Sequence, residues 1–509
     1  MKKTSKRNLP RVALKASSLA ALALCAACTM IPHYDRPEAP VSSTYPTVGD
    51  AAKGMGGGTT LAADIGWRNF FNDQRLQKLV ELALKNNRDL RAAAFQVDSV
   101  RAQYQIQRAA LMPSISLGGS ESRTSNAFNS ETYGTRTVSE YQVGLQQSSW
   151  ELDFWGRLRS LSQAALQTYF STAEARRATE ILLVSQVANQ YLTLIAYDAE
   201  LKVTDDTLKT ATESYRLTKL QFDVGTGSEL DLRQAEGVVE NARANYQTQL
   251  RLRAQALNDL VELVGEPLPD DLPPSTSLAD QNMMADIPAG LPSDLLTRRP
   301  DVMEAEANLK SANADIGAAR AAFFPQITLT SFGGSISESL GTLLKPGMAA
   351  WSFAPSITLP IFDGGANIAG LHEVQANQKV ALAKYEKAVQ AAFTEVANGI
   401  AGRGTYDAQI EAQGRATFAS QRQLDLSTLR YKNGVDSYLN VLTAQTSLYS
   451  AQLALIEAQL ARLTNLVNLY EAMGGGWIEH TGDTPRPADA EYSIEPAAPA
   501  SAASAATAG

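Results

Sequence analysis

Three histidines, His33, His372 and His480, stand far apart in this chain of 509 residues, and its two cysteines, Cys25 and Cys28, lie close to its start. That inventory offers little to a catalyst. The chain has no HExxH pair to hold a metal, no GxxxxGK[ST] loop to cradle a phosphate and no GxSxG turn to raise a nucleophile. Carboxylates are plentiful, but in Ala/Gln/Leu-rich stretches they read as solvated helix faces rather than acid/base pairs. The expectation is a protein that is not an enzyme and binds no metal or cofactor. A formal charge of -8, with no Lys/Arg block beyond the first dozen residues, also gives no footprint for nucleic acid.

The cysteines close an N-terminal leader. Lys2, Lys3, Lys6, Arg7, Arg11 and Lys15 precede the apolar run SSLAALALCAAC, too short to span a bilayer and shaped as a secretory signal. CAAC resembles a bacterial lipobox, in which small residues precede a cysteine that is acylated and becomes the first residue. Cys28 follows Ala26 and Ala27, whereas Cys25 follows the bulky Leu24, so Cys28 is the expected lipid carrier, with diacylglycerol and an N-acyl chain as its only covalent addition. Cys25 stands where the lipobox prefers Leu, and an ordinary cleaved signal is the alternative. Thr29 in the next position matches the outer-membrane sorting choice.

The body must then be built without disulfides, and it is built twice. ALMPSISL, ending at Leu117, matches AFFPQITL, ending at Leu329, with Pro113 opposite Pro325. LDFWGRLRS corresponds in placement to PIFDGGANI, and LQFDVGTGSELDLRQAE matches LRYKNGVDSYLNVLTAQ. No proline falls between Ser114 and Glu266 or between Ile361 and Thr484, and both stretches are rich in strong helix formers. Nearly continuous helices are expected over 156–222 and 365–431, each on the order of 100 Å long. Gly225 and Gly434 would end them in the left-handed conformation, and Ser228 and Ser437 would cap the helices that follow.

Opposite these tips, the prolines lead into alternating segments. WSFAPSITLPIF sets Trp351, Phe353, Pro355, Ile357, Leu359 and Ile361 on one face, and PSISLGG, YQVGLQQSSWEL and PQITLTSFGG alternate less cleanly. These make four strands in two hairpins. No later segment has eighteen consecutive apolar residues, so a membrane crossing would have to use strands. Four strands cannot close a barrel in lipid, where an open edge leaves backbone groups unsatisfied and known barrels need about eight strands or more. A shared barrel, or a small sheet on a periplasmic hairpin protein, would each accommodate them.

CTMIPHYDRPEAPV after Cys28, the paired proline junctions, WELDFWGRLRS, LLTRRPDVMEAEANL, LPIFDGG and LVNLYEAMGGGW together resemble the TolC-type outer membrane factors, in their lipoprotein branch. The resemblance covers nearly the whole chain from Cys28 to about Trp477. It implies an α+β membrane protein: a homotrimer with a twelve-stranded outer-membrane β-barrel continued by a twelve-helix periplasmic α-barrel. It further implies the exit duct of a tripartite multidrug efflux pump, with a periplasmic adaptor and an inner-membrane transporter of the resistance-nodulation-division class as partners, in the Gram-negative outer membrane. A type I protein-secretion duct in the same fold, and a periplasmic coiled-coil spacer without a lumen, remain as alternatives.

Converging tips would aim Glu229, Leu230 and Asp231 of the first repeat, and Asp436, Leu439, Asn440 and Thr443 of the second, at one axis. By the resemblance Leu439 and Thr443 match the aperture rings; Thr443 stands where members of this branch tend to carry Asp. Plain helix packing accounts equally for Leu439, and N-capping for Asp231 and Asn440. Gly225, Gly227, Gly434, Val435 and Tyr438 belong to the patch where an adaptor would dock, with Arg233 and Lys432 placed to pair with carboxylates across helices. The expected organisation is a signal over 1–27, a tether over 28–72, a first repeat over 73–265, a linker over 266–300, a second repeat over 301–477 and a disordered tail over 478–509.

Overall fold

The computed structural model describes residues 29–46, 61–126, 136–281, 283–284 and 294–483. The expected lipid site Cys28 and the signal before it lie outside the described residues. Helix α1 (Gln74–Asn86) leads into α2 (Arg88–Ala109), the strands β1 (Ser116–Asn126) and β2 (Arg136–Glu151), the long helix α3 (Arg157–Asp223) and α4 (Glu229–Val264). The second repeat runs α5 (Pro300–Ala321), β3 (Gln326–Ser337), β4 (Ala349–Thr358), α6 (Ala366–Lys432) and α7 (Tyr438–Ala472). Corresponding helices agree closely in length: 22 residues in α2 and α5, 67 in α3 and α6, and 36 and 35 in α4 and α7.

A left-handed glycine opens each long helix, Gly156 at φ 75° and Gly365 at φ 91°. An aspartate then satisfies the orphan amides that any helix start exposes. Asp153 accepts from the amides of Leu158 (3.1 Å) and Arg159 (2.9 Å), and Asp363 from those of Gly365 and Asn367 (both 2.9 Å). Both helices then run without a break, α3 contacting α2, α4, α5 and α7, and α6 contacting α5 and α7.

The shorter helices of each repeat meet end to end. Asn87 donates its side-chain amide to the Leu263 carbonyl at the end of α4 (2.9 Å) and accepts from the Leu90 amide at the start of α2 (2.9 Å). At the second junction, Arg299 donates to the Ala472 carbonyl of α7 (2.8 Å) while Pro300 begins α5, a position where its missing N–H costs nothing. Each repeat therefore presents two rods, one a single helix and one a stacked pair. Four rods per chain is what a twelve-rod wall needs from each of three copies.

The junctions are wrapped by three short segments from distant parts of the sequence. Trp67 and Phe70 occupy a short helical turn; Phe70 stacks on Tyr470 at 4.1 Å, and the Trp67 amide donates to the Ile478 carbonyl (2.9 Å). Met283 of the inter-repeat segment bridges to Phe71. Two expectations are corrected here. Within 61–72, Ala62, Ala63, Ile65, Trp67, Phe70 and Phe71 are buried core rather than tether, with Phe70 and Phe71 packed on Tyr470. The expected tail from 478 is ordered as far as Asp483, with Ile478 buried, and 484–509 lie outside the described residues.

The remaining tether, 29–46, is an extended strap laid on α5 and α6. Asn313 donates to the Pro32 carbonyl (2.9 Å), Arg36 forks onto Glu306 (2.9 and 3.0 Å), and Tyr45 stacks on Phe393 at 5.1 Å.

The strands form one antiparallel sheet in the order β1-β2-β3-β4. β2 starts five residues earlier than the alternation suggests and carries a bulge between Gln147 and Trp150, with Ser149 at φ 49°. Gln147 carries the ladder across that bulge by donating to the Leu329 carbonyl (2.8 Å). β4 stops before Leu359 and Pro360, so one of the two prolines expected in it lies outside the strand. The other, Pro355, lies within β4, opposite Leu329 of β3.

Candidate functional site

The register sorts the sheet into two faces. Leu117, Leu145, Gly333 and Trp351 lie opposite one another across the four strands, and Phe353 and Ile357 continue that face along β4. Every large side chain in this group is exposed. The other face carries Ser116, Gln146 and Ser352, then Ser120 and Gln142, with Thr328 and Thr330 along β3. An apolar exposed face against a polar one is the pattern of a strand set in lipid around a wet bore. No described helix is long and apolar enough to cross a membrane.

Pro113 lies between α2 and β1, and Pro325 between α5 and β3, so both mark a change from helix to strand. Trp155 stacks on Phe324 at 4.8 Å and donates its indole N–H to the Pro325 carbonyl (2.8 Å). Phe323, Ile361 and Phe362 are exposed at the same end of the sheet. Trp155, an aromatic with a polar handle of the kind that collects at a water–lipid boundary, thus forms with these residues an apolar collar beside Pro325.

At the opposite end of the rods are the two tips. Gly225 (φ 79°) and Gly434 (φ 69°) take the left-handed conformation there, in open surroundings. The Ser228 hydroxyl accepts from the Asp231 amide (3.1 Å) and caps α4; Glu229 and Leu230 are exposed on the first turn, and Arg233 pairs with Glu236 (2.9 Å) and Glu229 (3.5 Å) of its own helix rather than across helices. The second tip departs from the first. Ser437 makes no side-chain cap, and only its carbonyl accepts from the Asn440 amide (3.2 Å). Asp436 is not a bare charge: Arg430 clasps its carboxylate at 2.5 Å, and that guanidinium holds it below the usual carboxylate range.

Leu439, Asn440 and Thr443 are exposed, and the Thr443 hydroxyl donates back to the Leu439 carbonyl one turn earlier (2.9 Å). Gly227, Val435 and Lys432 also lie at the surface of the tips, Gly227 only in part. Tyr438 does not. Only 2% exposed, it packs with Ala235, Val441 and Leu442 and leans on Tyr431 at 5.2 Å, so it supports the tip from within and is removed from the docking patch.

Tyr431 itself was missed by sequence reasoning. Its hydroxyl donates to Gln221 of α3 (3.1 Å) and ties the end of one long helix to the end of the other. The repeat carried a signal for it, since Tyr431 and Phe222 both stand three residues before the turn glycine.

A four-stranded sheet with one lipid face, continued by four rods that end in two tips, defines a subunit of an outer-membrane channel. The family model described as Outer membrane efflux protein matches residues 79–266 and 291–475, and the chain belongs to that family. It is 47% identical over 465 residues to the toluene efflux pump outer membrane protein TtgC of Pseudomonas putida, a match covering 91% of this chain and 96% of that one. The antibiotic efflux pump outer membrane protein ArpC of the same species matches with the same identity and coverage. Among solved structures, the open-state MtrE outer membrane channel of Neisseria gonorrhoeae superposes with a TM-score of 0.80 at 40% identity, over 89% of this chain and all of that one. The chain is thus an outer-membrane exit channel for efflux in a Gram-negative cell. In this fold class three chains share a twelve-stranded β-barrel and a twelve-rod α-barrel.

Proposed function

We propose that the channel is the passive exit duct of a tripartite system: a periplasmic adaptor docks at its tips and an inner-membrane transporter of the resistance-nodulation-division class delivers the cargo. The observation that carries this is the sheet: a lipid face and two unpaired edges, β1 and β4, directly continuous with rods about 100 Å long. Unpaired edges in lipid cost several kcal/mol per orphaned group, roughly, so the sheet has to be closed by further copies. The length of the rods lets the mouth reach partners deep in the periplasm.

Within this reading Leu439, Asn440 and Thr443, with Glu229 and Asp231, line the aperture, and Gly225, Gly227, Gly434 and Val435 receive the adaptor. The exposed run of α7 supports the first group and the open, left-handed turns support the second. A lipid on Cys28 fits the start of the strap, where the Met30 carbonyl accepts from Arg320 in the last turn of α5, at the level of the collar. The relatives, components of a toluene pump and an antibiotic pump, favour small molecules over secreted proteins as cargo.

The test is oligomer mass together with conductance of the purified lipoprotein in a planar bilayer. A trimer of small conductance that rises on Leu439→Ala supports a gated duct; a species that never inserts would return the protein to a spacer.

A further inference from the structure

Among the described strand residues, Phe332 is the single aromatic on the polar face, since Tyr141, Trp150, Trp351 and Phe353 all fall on the other. Its row consists otherwise of Ser116, Gln146 and Ser352. One step along the same face, the row is Gly118, Gly144, Gly334 and Ala350, almost without side chains. The ring fills that space. A Cβ on Gly144 would come within 2.9 Å of the Phe332 Cε2, and one on Gly334 within 2.9 Å of its Cζ. The ring therefore lies flat across two glycines, along the wall, and does not project into the bore. Gln146 folds onto Gly118 in the same way, its Nε2 2.5 Å from where a Cβ would stand.

We infer that Phe332, seated on Gly144 and Gly334, sets the width and the apolar character of the bore at mid-barrel, making it a specificity-determining residue for what the duct passes. With the ring flat, the bore keeps its width and offers a solute one aromatic surface per subunit, two rows from the aliphatic Ile336 on the same face. With the ring unseated, three phenyl groups stand in the path of the cargo. The inference rests on the channel reading and adds to it a second selective level, at the opposite end of the molecule from the tips.

The experiment is single-channel conductance of the full trimer in a planar bilayer, measured first on the unsubstituted protein. The native cysteines are confined to 25 and 28, so Phe332→Cys places the single thiol of the barrel on the bore wall. A bulky charged methanethiosulfonate should then lower the conductance in discrete steps, and should leave unchanged the conductance of Phe353→Cys, whose thiol faces lipid. Phe332→Ala should widen the channel, and Phe332→Trp, whose larger indole does not fit on the two glycines, should narrow it. A conducting Phe332→Cys channel indifferent to the reagent, or Phe332→Ala and Phe332→Trp trimers with unsubstituted conductance, would overturn the inference. Should Phe332→Trp not assemble, the thiol and alanine experiments decide, because Phe332→Cys and Phe332→Ala remove bulk and add no contact. An unsubstituted trimer that does not conduct overturns the channel reading and this inference with it.

Discussion

Glu306 of α5 holds the strap in place, and its surroundings fix how it responds to acid. Its side chain is 6% exposed and meets Arg36 (2.9 Å), Lys310 (3.2 Å) and the Tyr34 hydroxyl (3.1 Å). Burial by itself would raise its pKa, but the Arg36 hydrogen bonds and the Lys310 charge outweigh burial and hold the carboxyl below its ordinary value. Because the folded value lies below the unfolded one, the stabilisation is complete above the ordinary carboxylate range and is lost as pH falls through the folded value. Protection of the amides in 31–36, taken relative to intrinsic exchange at each pH, should be insensitive to this group from pH 5 to 8 and fall in stronger acid. Arg36→Ala should cost about 2 kcal/mol locally, less than a fully buried pair because Arg36 is partly exposed and Lys310 remains. That corresponds to roughly thirtyfold faster exchange in the strap, with the rods unaffected; unchanged exchange would show that the strap is held elsewhere. Arg299 is the more heavily used cation. Buried, it forks onto Asp301 (2.9 and 2.6 Å), reaches Glu395 (2.7 Å) and caps α7 through Ala472. Arg299→Met should cost roughly 1–3 kcal/mol, chiefly by leaving the Ala472 carbonyl unpaired, because Asp301 and Glu395 reach water, and Arg299→Lys should recover part of it, a compact ammonium being unable to form the fork. Yield of protease-resistant trimer is the readout.

At the scale of elements, the two tips resemble each other in sequence and differ in how they are capped. Ser228→Ala should destabilise the first tip by about 1 kcal/mol, while Ser437→Ala, which removes no side-chain bond, should cost a few tenths. Equal losses in exchange protection over the first turns of α4 and α7 would count against the asymmetry. Replacing Gly225 or Gly434 by Ala should cost roughly 1–2 kcal/mol each through the left-handed backbone, as local fraying of the tip. The long helices were legible because two things coincided: proline-free stretches of strong helix formers, and a glycine at each end. The strands were legible as alternation but not in their limits, since the bulge at Ser149 and the early start of β2 depend on contacts with β3 that alternation does not encode. The wrapping unit was not legible at all. Its pieces lie some two hundred residues apart, each too short to bury a core alone; Phe70 and Phe71 become interior where Tyr470 arrives, and Trp67 meets the backbone of Ile478. Tyr438 was misjudged for a related reason: its place beside a turn argued for the surface, and the neighbouring helix that covers it carries no local signal.

For the whole molecule, folding and insertion cannot be separated from assembly. One chain exposes Leu117, Leu145, Trp351 and Phe353 along with two unpaired strand edges, a surface that would aggregate in water and that lipid accepts only once the edges are closed. The two faces of β2 should therefore answer the same substitution in opposite ways. Leu145→Arg sets a guanidinium against the hydrocarbon near mid-barrel, at a cost of roughly 2–4 kcal/mol per chain. Three chains meet that cost together, so the expected outcome is loss of membrane-inserted trimer, seen as loss of the heat-sensitive high-mass band. Gln142→Arg, three residues away on the polar face, adds three positive charges to a wet bore and should leave trimer yield intact. It should shift the reversal potential under a salt gradient toward anions, and the shift should shrink as ionic strength rises. If both variants assembled equally well, the assignment of the faces would be wrong; if Gln142→Arg assembled without changing selectivity, that face would not line the path of ions.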